Sequence, residues 1–314
     1  MQVPPERKDE QILAMLYCNS RASLREIGRE VDLCASAVRA RINRLVESGE
    51  VLRFTTRVNP AAFGFQELVF FSYQDSQVSE ETRRMLRAVG KPIAQGETIV
   101  GYTCVLKAVT MADGPMLSRL AGQSDMVRAT EMGVRWNPDS RLSTTDLLII
   151  RCLLSNPRAS VDAIAEHASV SSKTVSHRLE GLLSDHVLAF RVDVDASKAG
   201  LVEGLLLIRL GEGAPKATFG SIDETLRKGM LCASHIRFDR DLVATYCCAG
   251  TVFDMGPSLK RIRLLDGVVD VTAHVFSQLS FGHEWVFEQI GARLSSGMKR
   301  PGRPMIQPIL SAID

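Results

Sequence analysis

Apolar residues recur along Asp9–Cys18 at Ile12, Leu13 and Leu16, the spacing of one helical face, and Asn19-Ser20 ends the run. Ser23 followed three residues later by Glu26 is a capping box, so a second helix starts there and ends near Asp32. A third helix, about Ala35 to Ser48, puts Val38, Ile42 and Leu45 on one face and Ser36, Arg39, Arg41 and Arg44 elsewhere. Gly49 suits the position just past its end. Val51–Val58 then predicts a wing of two short strands, with Thr55 and Thr56 near the turn. Three helices and a hairpin make a winged helix-turn-helix.

The same pattern returns at an offset of about 137 residues. Leu13 falls on Ile150, Leu16 on Leu153, Ile27 on Ile164, Val38 on Val175 and Leu45 on Leu182. Polar identities accompany the apolar ones: Asp9 with Asp146, Arg21-Ala22-Ser23 with Arg158-Ala159-Ser160, and Arg41 with Arg178. After a one-residue gap near Gly49, Val51-Leu52-Arg53-Phe54 meets Val187-Leu188-Ala189-Phe190, and Gly64 meets Gly200. The chain is an internal duplication. In the second copy Ser143 and Asp146 form a capping box, Ser160 starts the second helix, and Ser171 or Ser172 caps a third running to about Ser184.

Each unit is followed by roughly 75 residues of a different order. In the first copy Glu67–Tyr73 predicts a strand, Glu80–Val89 a helix, Thr98–Val109 an extended segment, Met116–Gln123 a helix and Met126–Trp136 a strand. The second runs Leu205–Leu210, Phe219–Arg227, Cys232–Cys248, Ser258–Leu264 and Val268–Leu279. Strand-helix-strand-strand-helix-strand is ferredoxin-like, with helices on one face of an antiparallel sheet. The fold expected is α+β: two winged helix-turn-helix units alternating with two ferredoxin-like βαββαβ modules. The expected divisions are 1–65, 66–140, 141–201, 202–280, and a C-terminal helix with a basic tail over 281–314.

This order resembles the leucine-responsive/asparagine-operon regulator family (Lrp/AsnC), in a fused tandem form of a regulator that usually carries one copy. The likeness rests on Arg21-Ala22-Ser23, Val38-x-x-Arg41-Ile42-x-Arg44-Leu45, Val51-Leu52-Arg53-Phe54 and Val58-Asn59-Pro60-Ala61-Ala62-Phe63-Gly64. Their counterparts are Arg158-Ala159-Ser160, Val175-x-x-Arg178-Leu179 and Val194-Asp195-Ala196-Ser197-Lys198-Ala199-Gly200. The resemblance implies a regulator that binds double-stranded DNA, assembles as a homodimer or higher homo-oligomer through the ferredoxin-like modules, and takes a small effector, often an amino acid. In that family a Gly-x-Tyr-Asp type turn helps form the effector pocket. Here the resemblance carries over Gly101 and Asp241, each in a motif that lacks the other residue.

Composition changes this picture little. The 314 residues carry a formal net charge of only +2, so any DNA contact depends on local concentration. Between Ser20 and Arg57 eight basic residues face five acidic ones. In the first copy Ser36, Arg39 and Arg41 are placed for base edges, and Arg44, Arg53 and Arg57 for phosphates. Arg41 and Arg178 are also placed to fold back against the second helix of their own unit. In the second copy the matching face is Lys173, Thr174, His177 and Arg178, with Arg191 from the wing. That copy has Ser176 for Arg39, Gly181 for Arg44 and the apolar Ala189-Phe190 where the first has Arg53-Phe54, and gains Glu180 and Asp185, so it attracts phosphate less. Cys34 stands where the second copy has a serine helix cap.

The seven cysteines show no metal spacing, no Ser/His/Asp set or phosphate loop is present, and no apolar run is long enough to span a bilayer. The expectation is a cytoplasmic non-enzyme with no cofactor, no metal and no membrane partner. Two alternatives stand beside it. Siroheme decarboxylases share the architecture, and His235, Arg237, His274 and His283 are the residues such a role would draw on. The other is an interaction module with relic helix-turn-helix units. The run Met298–Pro304 is basic and broken by Pro and Gly, which suits either a minor-groove arm or a solubilising tail.

Overall fold

The computed structural model describes residues 5–65, 67–121, 127–128, 142–239 and 242–297. The first unit contains Pro5–Cys18 (α1), Leu24–Val31 (α2), Ala35–Glu47 (α3) and the strand Val51–Val58 (β1). The first module follows as Glu67–Tyr73 (β2), Glu80–Ala88 (α4), Lys91–Thr98 (β3), Thr103–Val109 (β4), Gly114–Ala121 (α5) and Val127–Arg128 (β5). The second unit contains Thr144–Ser155 (α6), Val161–Ala168 (α7), Ser172–Ser184 (α8) and Leu188–Val194 (β6). The second module contains Val202–Leu210 (β7), Lys216–Gly229 (α9), Cys232–Asp239 (β8), Leu242–Ala249 (β9), Val252–Arg263 (α10) and Val268–Phe281 (β10), and Glu284–Gly297 (α11) ends the described chain.

The predicted caps form. The Ser23 hydroxyl accepts from the Glu26 amide at 3.2 Å, and the Glu26 carboxylate accepts from the Ser23 amide at 2.7 Å. Ser143 and Asp146 repeat the device on α6, and Ser171 caps α8. The helix-turn-helix corner needs a left-handed residue, and the chain supplies Asp32 (φ 51°) and Ser169 (φ 54°) at matching positions. Neither is glycine, so each corner carries some backbone strain.

The wing differs from the expected hairpin. Each copy contributes one continuous strand, and β1 pairs antiparallel with β6 of the other copy. Thr55 and Thr56 therefore sit in mid-strand and are buried, with the Thr56 hydroxyl donating to Leu153 O at 2.7 Å. No Gly, Asn or Pro lies within Val51–Val58 to reverse the chain, so the edge of each strand is satisfied by its duplicate. The register centres on Thr55 opposite Arg191, which are equivalent residues of the two copies, with Phe54 opposite Val192 and Thr56 opposite Phe190. The chain thus contains its own local two-fold axis, as a symmetric dimer would.

Both modules have the ferredoxin-like strand order, and they join edge to edge in one eight-stranded sheet, β5-β2-β4-β3-β10-β7-β9-β8. The extended segments predicted over Thr98–Val109 and Cys232–Cys248 each fall across a reversal between two strands, with Gly101 at φ 80° in the first. Strand β10 makes the junction: its first part pairs with β7, and Phe276–Phe281 pairs with β3. Val69 and Phe71 face α4 and α5, whereas Leu68 and Phe70 face the opposite core. Burial on both faces explains why these strands read as unbroken apolar runs. Strands β2 and β10 are three places apart, about 14 Å in a flat sheet. Yet the rings of Phe70 and His274 are 5.3 Å apart. The sheet therefore curls until its two halves face each other.

Candidate nucleic-acid interface

The recognition helix of each unit is held by a buried contact on its inner face. Val38, Ile42 and Leu45 of α3 pack on Ile12, Leu16 and Ile27, and Val175, Leu179 and Leu182 of α8 pack on Ile150, Leu153 and Ile164. Ser36 and Arg39 of α3 are left exposed, and Arg39 makes no ion pair among the described residues. Lys173, Thr174 and His177 are exposed on the equivalent face of α8. The amide of Thr174 is engaged by the Ser171 cap at 3.1 Å. Cys34 sits at the helix cap position of α3 without a capping hydrogen bond, as expected. Its thiol lies 3.1 Å from the Ser36 hydroxyl, and this contact together with the Ala37 amide holds its pKa below the usual thiol value.

Several sequence-predicted contacts are used inside the protein instead. Arg41 pairs with Asp9 at 2.7 Å, and Arg178 reaches Asp146 through Nε at 2.7 Å. These are matching positions of the duplication, so each arginine clamps the recognition helix to the first helix of its own unit. Burial pushes the Asp146 carboxyl up, but hydrogen bonds from Arg178 and Ser143 outweigh it and hold it below the usual range. Arg44 also reaches Asp9, yet it remains 60% exposed and can swing to solvent.

The wing arginines form one cluster. Arg53 donates to Asp193 at 2.7 Å across the shared sheet, and Arg57 donates to the other oxygen of the same carboxylate. The Arg57 guanidinium lies 3.6 Å from the Phe281 ring centre, and burial lowers its pKa despite Asp193. Arg57 is thus a structural residue tying the shared sheet to β10, and not a phosphate contact. Arg191 donates to the carbonyls of Cys18 and Phe190. Continuous β1–β6 pairing engages all three of these side chains with groups of the protein itself, although Arg53 remains 55% exposed.

The duplicated Arg-Ala-Ser triplet has a role that composition hides. Arg21 donates to Pro157 O and Ala159 O, both at 2.9 Å, and lies 5.0 Å from the Phe190 ring. Arg158 reciprocates over Phe54 at 4.6 Å. The two triplets and the two strand phenylalanines lock the helix-turn-helix units together about the local two-fold. Arg25 and Arg29 of α2 are exposed beside the recognition helix and were not among the predicted contacts. Their spacing of four on a polar helical face was the available signal.

Of the two residues expected at an effector site, Gly101 lies near the curled sheet. A cleft of about 270 Å³ between its halves is lined by Phe70, Ser72 and Tyr102 from the first module and Leu207, Arg209, Leu242, Asp270, Thr272 and His274 from the second. Gly101 adjoins Tyr102, but it is exposed at the turn and a side chain there would meet open space. Asp241 lies outside the described residues, as does the basic run Met298–Pro304. His274 borders this cleft and burial lowers its pKa, whereas His283 sits elsewhere, 2.9 Å from the Thr55 hydroxyl. Of the four residues considered for a decarboxylase, His274 and His283 face different places, and the side chains of His235 and Arg237 lie outside the described ones. No described helix is long and apolar enough to cross a membrane.

A winged helix-turn-helix DNA-binding family model matches the chain twice, over residues 5–49 and 142–188. The HTH-type transcriptional regulator Ptr1 of Methanocaldococcus jannaschii is 33% identical over 105 residues, covering 33% of this chain and 71% of the relative. An HTH-type transcriptional regulator of Mycobacterium tuberculosis, Rv2324, is 47% identical over 57 residues, 18% of this chain and 38% of the relative. Among solved structures, the siroheme decarboxylase NirDL aligns over 91% of this chain and 99% of its own, at 12% identity and a TM-score of 0.48. The leucine response regulatory protein LrpA of M. tuberculosis aligns over 46% of this chain and 97% of its own, at 16% identity and a TM-score of 0.36. Matched in both copies, and one-third identical to a regulator along most of that regulator's length, the chain belongs to the Lrp/AsnC family of DNA-binding transcription regulators, in a fused tandem form.

Proposed function

We propose that one chain reads both halves of a single duplex site, the work that two subunits share in a symmetric dimer. The observation that carries this is the β1–β6 pairing about Thr55 and Arg191, which fixes the two recognition helices in one symmetric frame. Ser36 and Arg39 of α3 and Lys173, Thr174 and His177 of α8 are then the base-reading residues, with Arg44, Arg25 and Arg29 on phosphates. Because the two faces differ in charge, the two half-sites differ in sequence, and the first unit holds its half-site more strongly. The divisions expected from sequence serve this reading, with the modules after each unit providing assembly into homo-oligomers. The test is a gel-shift titration on the protein's own upstream DNA at two salt concentrations. Arg39→Ala should weaken specific binding by about 1–3 kcal/mol with no loss of thermal stability. Unchanged affinity would mean that the reading face has been misplaced.

A small effector fits the cleft between the sheet halves. Arg209 offers a carboxylate partner, Asp270 an ammonium partner, and Phe70, Leu207 and Leu242 an apolar floor. Tyr102, the neighbour of Gly101 in the chain, lines the cleft and supports this reading. An amino acid has the matching chemistry, and Arg209→Ala should abolish its effect on the gel shift while leaving unliganded DNA binding intact.

A further inference from the structure

A second cleft, of about 280 Å³, lies where the first helix-turn-helix unit meets the second module. Its walls are Tyr17 from the end of α1, Arg53 of β1, Asp193 of β6, Glu203 of β7, and Ser280 and Phe281 of β10. Glu203 is 8% exposed, and Tyr246 donates to one of its oxygens. The other oxygen has no protein donor among the described residues, which leaves a buried carboxylate half-satisfied at the edge of open space. Tyr17 and Tyr246 stack at 5.2 Å and 6°, and Phe281 stands edge-on to Tyr246 at 6.2 Å. A carboxylate with a free lone pair, bordered by aromatic faces, is the arrangement that holds an ammonium group.

The duplication supplies an internal control. At the other joint Trp285 stands edge-on to Phe63 and Phe65 at 5.9 and 5.6 Å. The counterparts of those phenylalanines are Ala199 and Leu201, and among the described residues no tryptophan packs on them. One joint is plugged by α11, while among the described residues its twin keeps a cleft with a charged floor.

We propose that this cleft binds a small primary amine, its ammonium on Glu203 and its carbon chain along Tyr17 and Phe281. The groups facing Glu203 set the charge balance: Arg53 and Arg57 from β1, Asp193 and beyond it Asp195 from the β6 end, Tyr246 from β9, and Glu10 and Tyr17 from α1. Asp193 pairs with both arginines, and an ionised Glu203 would balance the second positive charge. Burial pushes the Glu203 carboxyl up to about 7, so in the empty cleft a proton occupies the place on Glu203 that an ammonium would take. An arriving ammonium displaces that proton, and the net charge of the site is unchanged. Arg53 at the rim is placed to take a carboxylate, if the ligand carries one.

Calorimetric titration of the full chain without DNA separates this from the regulator reading, since neither measurement depends on the other. The probes are n-butylamine, L-norleucine and hexanoate, each at pH 6 and pH 8. Both amines should bind more tightly at pH 8, with protons released at pH 6, and hexanoate should not bind. Norleucine binding more tightly than butylamine would put its carboxylate on Arg53, and the reverse would make this a plain ammonium site. Either order supports the proposal. Glu203→Gln, which keeps an acceptor for Tyr246, should cost at least tenfold in affinity. Ser280→Trp, at an exposed rim position that the core does not need, should block binding. Failure of both amines, binding of hexanoate in their place, or affinity untouched by both substitutions would overturn it.

Discussion

Two groups near the Arg57–Asp193 cluster, Glu203 and His283, should give the protein a pH profile that hides its own causes. Burial raises the Glu203 carboxyl from 4.5 to about 7, so between those values the folded chain holds a proton that the unfolded chain has lost. Stability from this source is full below pH 4.5 and drains away as pH rises to 7. Burial, with Arg57 and Arg53 nearby, lowers His283 from 6.5 to about 4. Here the unfolded chain holds the extra proton, so stability is full above pH 6.5 and drains away as pH falls to 4. At about 1.4 kcal/mol per pH unit, the Glu203 span amounts to about 3 kcal/mol. The His283 span, discounted for solvent at its partly exposed ring, amounts to about 2 kcal/mol. Between pH 4.5 and 6.5 the two slopes oppose, and the pair contributes a net change of about 1 kcal/mol. Urea titrations followed by circular dichroism at half-unit steps would resolve them as differences from wild type. Glu203→Gln should unmask a stability that rises with pH over this window, and His283→Asn one that falls. A Glu203→Gln profile parallel to wild type would refute the reasoning, because Glu203 would then titrate as a solvated carboxylate.

Other perturbations test the frame of the units. Cys34→Ser should supply the missing cap on α3 and raise the thermal midpoint, by up to about 1 kcal/mol in stability, with DNA binding kept; an unchanged midpoint would mean that the Cys34 contact to Ser36 already serves. Arg178→Met leaves the Asp146 charge without its arginine at 1% exposure, and denaturant melts should show a loss of about 3 kcal/mol. DNA affinity of the folded variant should stay within about threefold, whereas a large loss would return Arg178 to the reading face. Trp285→Ala should empty the plugged joint at a cost of about 3–5 kcal/mol in the same melts.

What the sequence disclosed and what it withheld divide along one physical line. Helices with a single apolar stripe and a capping serine were legible, because both signals are local: the boundaries of α2, α6 and α8 follow from Ser23, Ser143 and Ser171. Most module strands were legible as apolar runs for the same reason, but Lys91–Thr98, with its polar alternation, was missed. The partner of Val51–Val58 was not, because its hydrogen bonds go to residues 188–194, and a strand paired at that distance looks in sequence like half of a hairpin. That single misplacement propagated to the site. With the wing assumed free, Arg53, Arg57 and Arg191 looked available to phosphate. With the strands joined, Asp193 and the Cys18 carbonyl claim them. Arg41 and Arg178 show the converse. Their matched acids at positions 9 and 146 were already visible in the alignment of the copies, and the pairing could have been read from it.

Fusion also removes a constraint that a homodimer obeys. When two subunits come from one sequence, a substitution on the reading face or at a joint appears twice. In this chain the recognition helices have diverged, Arg39 against Ser176 and Arg44 against Gly181, while the clamps Asp9–Arg41 and Asp146–Arg178 remain in both copies. What has been kept is what holds each helix in place, and what has changed is what faces outward. The joints have parted in the same way, one closed by Trp285 and the other left with Glu203 at an open cleft. A two-fold frame retained for geometry, with its two sides free to differ in chemistry, can address an unequal operator and carry a ligand site on one side alone.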